Sequence, residues 1–219
     1  HALLAHRHDR AFQRLLFPVQ PQNDHPAMQG QPWPEVFKRT MDPVVSLAYV
    51  AGLTERIRLG TGILLMPYYS PVLMAKELAT LDQVSGGRLD VGLGLGWSTD
   101  EFEAVGVPYR DRGKRGDEFL RCLKTIWTEE VAEFHGEFYR LPRARLEVKP
   151  LQKPHPPLLI GGYGRTVIQR VILLGDGTGQ LSPPQQYDGE LFPIGSDIGD
   201  LDGDGDLDLL LSNYSGDWS

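Results

Sequence analysis

The sequence is poor in cysteine and has no hydrophobic run long enough to cross a membrane. Cys122 is the only cysteine in 219 residues, so an internal disulfide is impossible. Its neighbours at helical spacing, Phe119, Leu123 and Ile126, indicate a buried thiol rather than a reactive one. No apolar stretch approaches the roughly 18 residues of a membrane span, and residues 1–14 lack the apolar core of a signal peptide. We therefore expect neither a disulfide scaffold nor a membrane-spanning protein.

Positive charge is missing from the carboxyl-terminal segment. The net charge is −7, residues 178–219 contain no Lys or Arg, and ten acidic residues lie from Asp176 onward. Subtracting these ten from the 29 acidic residues leaves 19 against 22 basic ones, which gives +3 for residues 1–175 and −10 beyond. This break predicts a domain boundary. The acidic end argues against nucleic-acid binding and favours a cation partner.

Hydrophobic periodicity is absent from residues 1–40, which are rich in His, Gln and Pro. We expect a mostly irregular segment there. His1, His6 and His8 suggest a metal site at first sight, but their spacing is not that of a defined zinc site and no cysteine accompanies them. Solvated histidines are the favoured interpretation.

A strand, a helix and a second strand are predicted between residues 57 and 95. The first strand, residues 57–65, is an apolar and β-branched run. The helix has Pro71 in its first turn and ends at Gly86 and Gly87. Strand, helix and strand at this spacing form a βαβ unit, whose strands are expected to be parallel neighbours.

The second strand of this unit, residues 88–95, has one apolar face and one face of glycine. Leu89, Val91, Leu93 and Leu95 fall on the first face, and Asp90, Gly92, Gly94 and Gly96 on the second. A glycine face leaves room for something large against the backbone, either a closely packed segment or a flat ligand. Trp97 follows at the carboxyl end of the strand, where parallel α/β sheets and barrels place their sites.

Several motifs in this region occur together in one known family. In order they are LGTGI at 59–63, ATLD at 79–82, SGGRL at 85–89, GLGLGW at 92–97, RGKR at 112–115, FHG at 134–136 and PHPPLLIGG at 154–162. Together they resemble the bacterial luciferase-like monooxygenases, and within them the deazaflavin-dependent (coenzyme F420) oxidoreductases. The resemblance covers about residues 42–177.

The resemblance implies an α/β fold of the (β/α)8 TIM-barrel type, which needs about 250 residues. Roughly 160 residues of this chain are of that type, so we expect an incomplete barrel whose open edges favour aggregation, dimerisation or poor folding alone. The LLFP segment at 15–18 resembles the one that follows the family's second strand. The acidic–His pair that the family usually has before it is absent, so no catalytic residue is assigned.

The resemblance also implies where a cofactor would bind. In the family, the first strand of the βαβ unit ends at a non-proline cis peptide, which by motif position is Gly62–Ile63; an ordinary trans bond is the alternative. The residues that would contact the cofactor are Gly62, Ile63, Gly94, Gly96 and Trp97. The cofactor phosphate would lie at the turn of Gly161 and Gly162, for which a plain tight turn is the alternative.

Further elements are predicted on both sides of the βαβ unit. Helices are expected near residues 43–52, 99–102 and 111–127, a hairpin at 134–146 and a strand at 158–160. The basic residues at the start of the third helix are Arg110, Arg112, Lys114 and Arg115. They could hold an anionic substrate or cofactor tail, or form a solvated face with local ion pairs, which is the favoured interpretation.

From Leu173 onward the sequence resembles a second family, the FG-GAP (integrin-type propeller) repeats. Carboxylates at alternating loop positions with a glycine for the sharp turn suit Ca²⁺. The predicted ligands are Asp200, Asp202, Asp204, Asp206 and Asp208. We therefore expect a chimeric chain with three parts: an irregular segment at 1–40, a partial luciferase-like barrel at 41–175, and an acidic FG-GAP-like β segment at 176–219 that forms a single blade.

The favoured function is a luciferase-like oxidoreductase or monooxygenase that uses FMN or coenzyme F420, with truncation as a possible cause of inactivity. The alternative is a calcium-binding FG-GAP module attached to a non-functional barrel fragment. The expected partners are a small-molecule substrate and a second copy of the chain, with no nucleic acid and no membrane. The barrel part predicts a cytoplasmic protein, whereas the repeat would predict an extracellular one.

Overall fold

The computed structural model of the protein describes residues 8–26, 28–161, 193–199 and 208–213, and the side chains of 12–26 and 28–161. The chain divides into two compact units, His1–Pro157 and Leu158–Ser219. Within the described residues, no helix is both long enough and apolar enough to cross a membrane.

The first unit alternates strands and helices along most of its length. Its strands are β1 (His8–Ala11), β2 (Arg58–Thr61), β3 (Leu64–Leu65), β4 (Leu89–Gly94), β5 (Ala132–His135) and β6 (Arg140–Ala144). Its α-helices are α1 (Pro43–Leu53), α2 (Pro71–Ser85), α3 (Thr99–Ala104) and α4 (Arg112–Thr128). Short 3-10 helices lie at Glu35–Arg39, Met66–Tyr68 and Tyr109–Asp111. These bounds confirm the predicted helices and the hairpin to within a few residues.

A parallel sheet organises the first unit. β1 pairs with β2, and both β2 and β3 pair with β4, all in parallel. Helix α1 joins β1 to β2 and helix α2 joins β3 to β4, so the unit contains two consecutive βαβ crossovers. The predicted parallel pairing of the two strands on either side of α2 is therefore confirmed.

The first strand of the predicted βαβ unit is interrupted by a one-residue bulge. Leu59 pairs with Leu89, an offset of 30, whereas Leu64 pairs with Leu93, an offset of 29. Two residues are too few to carry the chain across β4, so β2 and β3 are two pieces of one strand on the same side of it. The prediction of one continuous strand over 57–65 was wrong, because the bulge breaks the ladder between the two pieces.

Local sequence signals explain where the helices begin and end. The Asp42 carboxylate caps α1 by accepting a hydrogen bond from Val45 N at 2.9 Å. Pro71 opens α2, and Gly86 ends it in the left-handed conformation with φ +69°. The predicted start and end of α2 are confirmed.

The core lies between the helices and one face of the sheet. Leu89, Val91 and Leu93 of β4 are completely buried, as the alternation predicted. Cys122 of α4 is buried as well, and burial raises the pKa of its thiol to about 11. A thiol with that pKa stays protonated at neutral pH, which confirms a packing role.

The amino-terminal segment is more ordered than its composition predicts. It contributes the edge strand β1 and the 3-10 helix Glu35–Arg39, and the other described residues up to 40 lie outside regular helix and strand apart from an isolated bridge between His25 and Met28. The prediction of a mostly irregular segment therefore missed one strand of the central sheet. Four residues are too short to show periodicity.

The second unit contains β7 (Leu158–Ile160), β8 (Pro193–Gly199) and β9 (Asp208–Asn213). The strand predicted at 158–160 is confirmed. β8 and β9 form an antiparallel pair in which Gly199 is opposite Asp208. Residues 200–207, which connect them, lie outside the described residues.

Gly92 on β4 is required by the bulge. A Cβ atom at this position would overlap the carbonyl oxygen of Thr61. The Thr61 hydroxyl also accepts from Gly92 N and donates to Gly92 O, both at 2.8 Å, so a side chain replaces ladder hydrogen bonds there. The glycine therefore lets two strands approach where their register changes.

Replacing Gly92 by alanine is expected to destabilise the fold by about 1–3 kcal/mol, the usual cost of forcing a methyl group into a packed site. Chemical denaturation followed by circular dichroism measures this change. Gly52→Ala is the matched control: Gly52 lies in α1 with open space around its Cα, so alanine there should leave stability unchanged or raise it by up to about 1 kcal/mol. Equal effects of the two substitutions would contradict the packing role of Gly92.

Candidate functional site

The carboxyl ends of β1, β3 and β4 meet at one edge of the sheet. The segments that leave these strands begin at Phe12, Met66 and Leu95. Parallel α/β sheets place their ligand sites at this edge, because the loops that follow neighbouring strands converge there. Several buried polar and aromatic side chains of the three segments are in contact.

A buried carboxylate holds the three segments together. Glu101, in the first turn of α3, is completely buried. Its Oε1 accepts a hydrogen bond from Leu15 N at 2.7 Å, and its Oε2 lies 3.2 Å from Arg14 Nη2 and 3.3 Å from the Tyr68 hydroxyl. Glu101 thus connects the segment after β4 to those after β1 and β3.

Gln13 adds a second link between the segments after β1 and β3. Its Oε1 accepts a hydrogen bond from Leu65 N at 2.7 Å, and its Nε2 donates to the Tyr69 hydroxyl. The side chain is nearly fully buried. Gln13 therefore fixes the segment that follows β1 against the end of β3.

Aromatic rings surround the Arg14 guanidinium. Its central carbon lies 4.7 Å from the centroid of Trp97, 4.8 Å from that of Trp33 and 5.3 Å from that of Phe37. These are cation–π distances. The ring of His25 packs edge-on against Trp97 at 4.9 Å, so the site has an almost continuous aromatic wall.

Asn23 fixes the segment that carries Trp33 over the site. Its side-chain oxygen accepts hydrogen bonds from Thr99 N at 2.9 Å and from the Thr99 hydroxyl at 2.7 Å. Its side-chain nitrogen donates to Trp97 O at 3.2 Å, and its main-chain oxygen accepts from Trp33 Nε1 at 3.1 Å. One amide residue therefore ties residues of the amino-terminal segment to the start of α3.

Burial controls the protonation of the titratable groups here. It raises the pKa of Tyr68 strongly, and the Glu101 carboxylate raises it further, so the phenol remains a proton donor. Burial lowers the pKa of His25, and the Arg14 charge lowers it again, so the imidazole is neutral at pH 7. Burial also lowers the pKa of Arg14, opposed by Glu101, but a guanidinium keeps its charge at this pH.

Arg14 keeps hydrogen-bonding capacity in spite of its burial. Its side chain is only 5% exposed. Among the residues that the structure describes, its Nε and Nη2 atoms have no hydrogen-bond partner of good geometry. Buried donors are normally paired, and for Nη2 the Glu101 carboxylate, 3.2 Å away, supplies the opposite charge.

Five of the seven predicted cofactor residues, Gly62, Ile63, Gly94, Gly96 and Trp97, belong to the first unit. The Gly62–Ile63 peptide is cis, as predicted from motif position, and it lies at the bulge. Gly62 is exposed and Ile63 is half-buried. Gly94 ends β4 and is buried, whereas Trp97 is half-buried in the aromatic wall.

The glycine face of β4 is not bare. Gly92 is covered by Thr61, and the Ile63 side chain approaches within ordinary contact distance of the same position. Gly96 has φ +79°, and a Cβ there would lie 3.0 Å from the Tyr68 hydroxyl. Close packing, one of the two explanations that the sequence left open, therefore accounts for Gly92 and Gly96.

Other predicted site residues are only partly covered by the structure. Gly161 is half-buried and directly follows β7, whereas Gly162 lies outside the described residues. Asp200, Asp202, Asp204 and Asp206 also lie outside them, and Asp208 is the first residue of β9. Within the part of the chain that is described, no three His, Cys, Asp or Glu side chains are grouped as metal ligands.

The basic cluster at the start of α4 does not converge on one point. Arg112 stacks on Tyr109 at 3.9 Å and Arg115 on Phe138 at 4.5 Å, whereas Arg110 is 88% exposed. Side chains that pack on separate rings do not form a common anion site. The geometry favours the local, solvated role over ligand binding.

The sequence did not identify the residues that form the centre of the site. Arg14, His25, Trp33, Tyr68 and Glu101 were not predicted to be site residues. Their position in the sequence could have identified two of them, because Arg14 and Tyr68 follow the carboxyl ends of strands, where sites of parallel sheets lie. It was missed because β1 was not predicted and because Tyr68 lies just beyond the bulge.

Comparison with known proteins identifies the family. The luciferase-like monooxygenase family matches residues 22–190. The FMNH2-dependent dimethylsulfone monooxygenase of Pseudomonas putida is 46% identical over 115 residues, which are 51% of this chain and 31% of that protein. The chain spans between about a third and about half of the length of the curated relatives it matches.

Solved structures of the family share the fold. The monooxygenase RslO1 from Streptomyces bottropensis aligns with TM-score 0.53 and 38% identity over 54% of this chain and 36% of that one. The coenzyme F420 dependent tetrahydromethanopterin reductase from Methanopyrus kandleri aligns with TM-score 0.53 and 22% identity over 60% and 42% of the two chains, a likeness of fold alone.

The family match is longer than the resemblance found in the sequence. It begins before residue 42 and continues past Leu173, where the sequence predicted a change to an FG-GAP repeat. The limits predicted for the first family were therefore too narrow at both ends. By motif, fold and sequence match, the chain belongs to the luciferase-like monooxygenase family.

Proposed function

We propose that this protein is part of a flavin-dependent monooxygenase that uses reduced FMN and acts on a small organic molecule. The observation that carries the proposal is the accessible main chain of the bulge at Gly62–Ile63, in a chain of the luciferase-like family. Because the chain spans at most about half of its curated relatives, the complete activity is proposed for the protein together with the rest of such a barrel.

Reduced FMN is favoured over coenzyme F420 by the relatives. The dimethylsulfone enzyme, whose name states FMNH2 dependence, is 46% identical to this chain over the matched residues. The F420-dependent structure is 22% identical and supports the fold only. The overall style of the motifs resembles the F420-dependent members of the family, but no single motif in the chain distinguishes the two rings.

The described residues fit a planar ring. The exposed main chain of Gly62 and the half-buried Ile63 side chain offer an uncharged surface, and Trp97 lies at the end of the neighbouring strand. In this proposal Gly94 and Gly96 contribute main chain at the end of β4, and Gly161 with Gly162 binds the phosphate through main-chain N–H groups. Bound reduced flavin would supply the oxygen chemistry.

The protein's own residues provide orientation and exclude water. Glu101 holds the Arg14 guanidinium in place among the aromatic rings, so that the position of its positive charge is fixed. The Tyr68 phenol remains a proton donor because its pKa is raised. Trp33, Trp97 and Phe37 keep bulk water from this group, which strengthens its electrostatic interactions.

Ile63→Ala is expected to weaken binding of FMN about tenfold, because it removes apolar contact worth roughly 0.8 kcal/mol per buried CH₂. Quenching of flavin fluorescence on titration with the chain measures the dissociation constant. Val148→Ala is the control, because Val148 is also apolar and partly exposed but lies away from the bulge. Its neighbour Lys149 accepts a hydrogen bond from Gln83, which lies near the carboxyl end of α2. Absence of FMN binding by the unsubstituted chain, or equal affinity of both variants, would contradict the proposed ring site.

A calcium-binding role for the second unit is retained as a second candidate. The observation that favours it is the antiparallel pair of β8 and β9. Gly199 of β8 pairs with Asp208 of β9, and these two residues flank the acidic stretch 200–207 in the sequence. Oxygen ligands at this spacing suit Ca²⁺. The role would add to the flavin function rather than replace it.

Asp204→Asn is expected to weaken Ca²⁺ binding at least tenfold, because it replaces one charged carboxylate ligand by a neutral amide and so reduces the electrostatic attraction of the loop for the cation. Calorimetric titration of the whole chain with CaCl₂ checks this, with MgCl₂ as the comparison ion. Asp188→Asn, which lies outside the loop, should leave the heat signal unchanged. If the unsubstituted chain gives no calcium signal at millimolar concentration, the second candidate is wrong.

A further inference from the structure

The main-chain ladder is interrupted on both sides of the bulge. Toward β4, strand pairing stops after Gly60 and resumes at Leu64. Toward β1, the last strand pair among the described residues is the one at Thr61, although the chain continues into β3. Buried peptide groups that lie where a ladder is broken need other hydrogen-bond partners.

The Thr61 hydroxyl replaces the ladder on the side of β4. Gly92 N donates a hydrogen bond to this oxygen, and the hydroxyl donates to Gly92 O, both at 2.8 Å. The preceding main-chain donor, Val91 N, is used elsewhere, because it donates to Pro157 O at 2.9 Å. Thr61 is buried, so bulk water does not reach its hydroxyl. A single side chain therefore pairs both main-chain groups of Gly92.

The Gln13 side chain replaces the ladder on the side of β1. It lies two residues after the end of β1 and is buried. Its Oε1 accepts a hydrogen bond from Leu65 N at 2.7 Å, and its Nε2 donates to the Tyr69 hydroxyl. A side-chain amide thus supplies the acceptor that a further strand pair would have supplied.

The accessible surface of the bulge lies between these two contacts. Gly62 is exposed and Ile63 is half-buried. The Ile63 Cγ2 atom is 3.4 Å from the position that a Cβ atom on Gly92 would occupy, so the side chain rests on the glycine that Thr61 holds. Thr61 precedes this surface and Leu65 follows it. Both ends of a short segment are therefore fixed by buried side chains, which limits the positions that it can adopt.

We propose that Thr61 and Gln13 are positioning residues for the flavin ring: the hydroxyl and the amide hold the Gly62–Ile63 surface in the shape that binds it. The inference rests on the proposed function, because the ring site is the one proposed there. An apparent dissociation constant rises as the fraction of molecules with a formed site falls. Loss of either contact therefore weakens binding without removing any atom of the ring surface.

Thr61→Val keeps the shape of the side chain but leaves Gly92 N and Gly92 O unpaired. It is expected to raise the dissociation constant of FMN about tenfold, as it would if the bulge kept its shape in about one molecule in ten. Thr61→Ser keeps the hydroxyl and should bind FMN as the unsubstituted chain does. Quenching of flavin fluorescence on titration with the whole chain measures the three constants.

Ser85→Ala is the matched control. Ser85 is buried, and its hydroxyl also joins two main-chain groups, since it donates to Asp82 O at 3.1 Å and accepts from Arg88 N at 3.3 Å. It ends α2 and precedes β4, so it lies at the opposite end of that strand from the bulge. Ser85→Ala should lower stability in chemical denaturation, as Thr61→Val does, but should leave the dissociation constant unchanged.

Gln13→Met provides a second test, which also applies if Thr61→Val does not fold. Methionine has a similar length but offers no strong acceptor to Leu65 N, so FMN binding is again expected to weaken about tenfold. Amide hydrogen exchange followed by NMR locates each effect. Exchange should become faster at Leu65 in Gln13→Met and at Gly92 in Thr61→Val.

The outcomes separate this inference from the proposed function. If the unsubstituted chain binds FMN and both Thr61→Val and Gln13→Met bind it equally well, the inference is wrong and the proposed function stands. Equal weakening by Ser85→Ala, or a Thr61→Ser variant as weak as Thr61→Val, also overturns the inference. Absence of FMN binding by the unsubstituted chain overturns both. Weak binding by Thr61→Val and Gln13→Met, with normal binding by Thr61→Ser and Ser85→Ala, supports the inference.

Discussion

The geometry of the site depends on the buried Glu101 carboxylate. This one group accepts the Leu15 N–H, faces the Arg14 guanidinium and approaches the Tyr68 hydroxyl, so it joins the segments after β1, β3 and β4. Removing one partner of a buried ion pair costs about 3–5 kcal/mol, because the remaining charge is left unpaired. Glu101 therefore constrains the position of every side chain around it, and Arg14 can be buried only because Glu101 is present.

The bulge is the second constraint, and it explains the glycine pattern. An extra residue between β2 and β3 directs the Thr61 carbonyl onto β4, where only glycine leaves room. The same bulge turns Gly62 and Ile63 toward accessible surface. A packing requirement at Gly92 and the proposed ligand surface at Ile63 thus have one structural origin, which is why the sequence pattern alone was compatible with both explanations.

The sequence predicted the elements that have strong local signals. Helix α2 was predictable from Pro71 and Gly86, and β4 from the alternation of Leu89, Val91 and Leu93. The centre of the site was not predictable in the same way. Arg14 and Glu101 are far apart in sequence and carry no spacing motif, and their contact exists only after two crossovers have brought the strand ends together. Charge and composition located the acidic segment, but four of its five predicted ligands lie outside the described residues.

The packing of Trp33 against Trp97 has an optical consequence. The two indole rings lie 4.7 Å apart at 69° to each other, and Trp33 is held by its hydrogen bond to Asn23. Transition dipoles at that distance and angle couple, so the pair should give an exciton couplet in the circular dichroism spectrum. The couplet reports whether the amino-terminal segment is seated on the strand ends, without any added label.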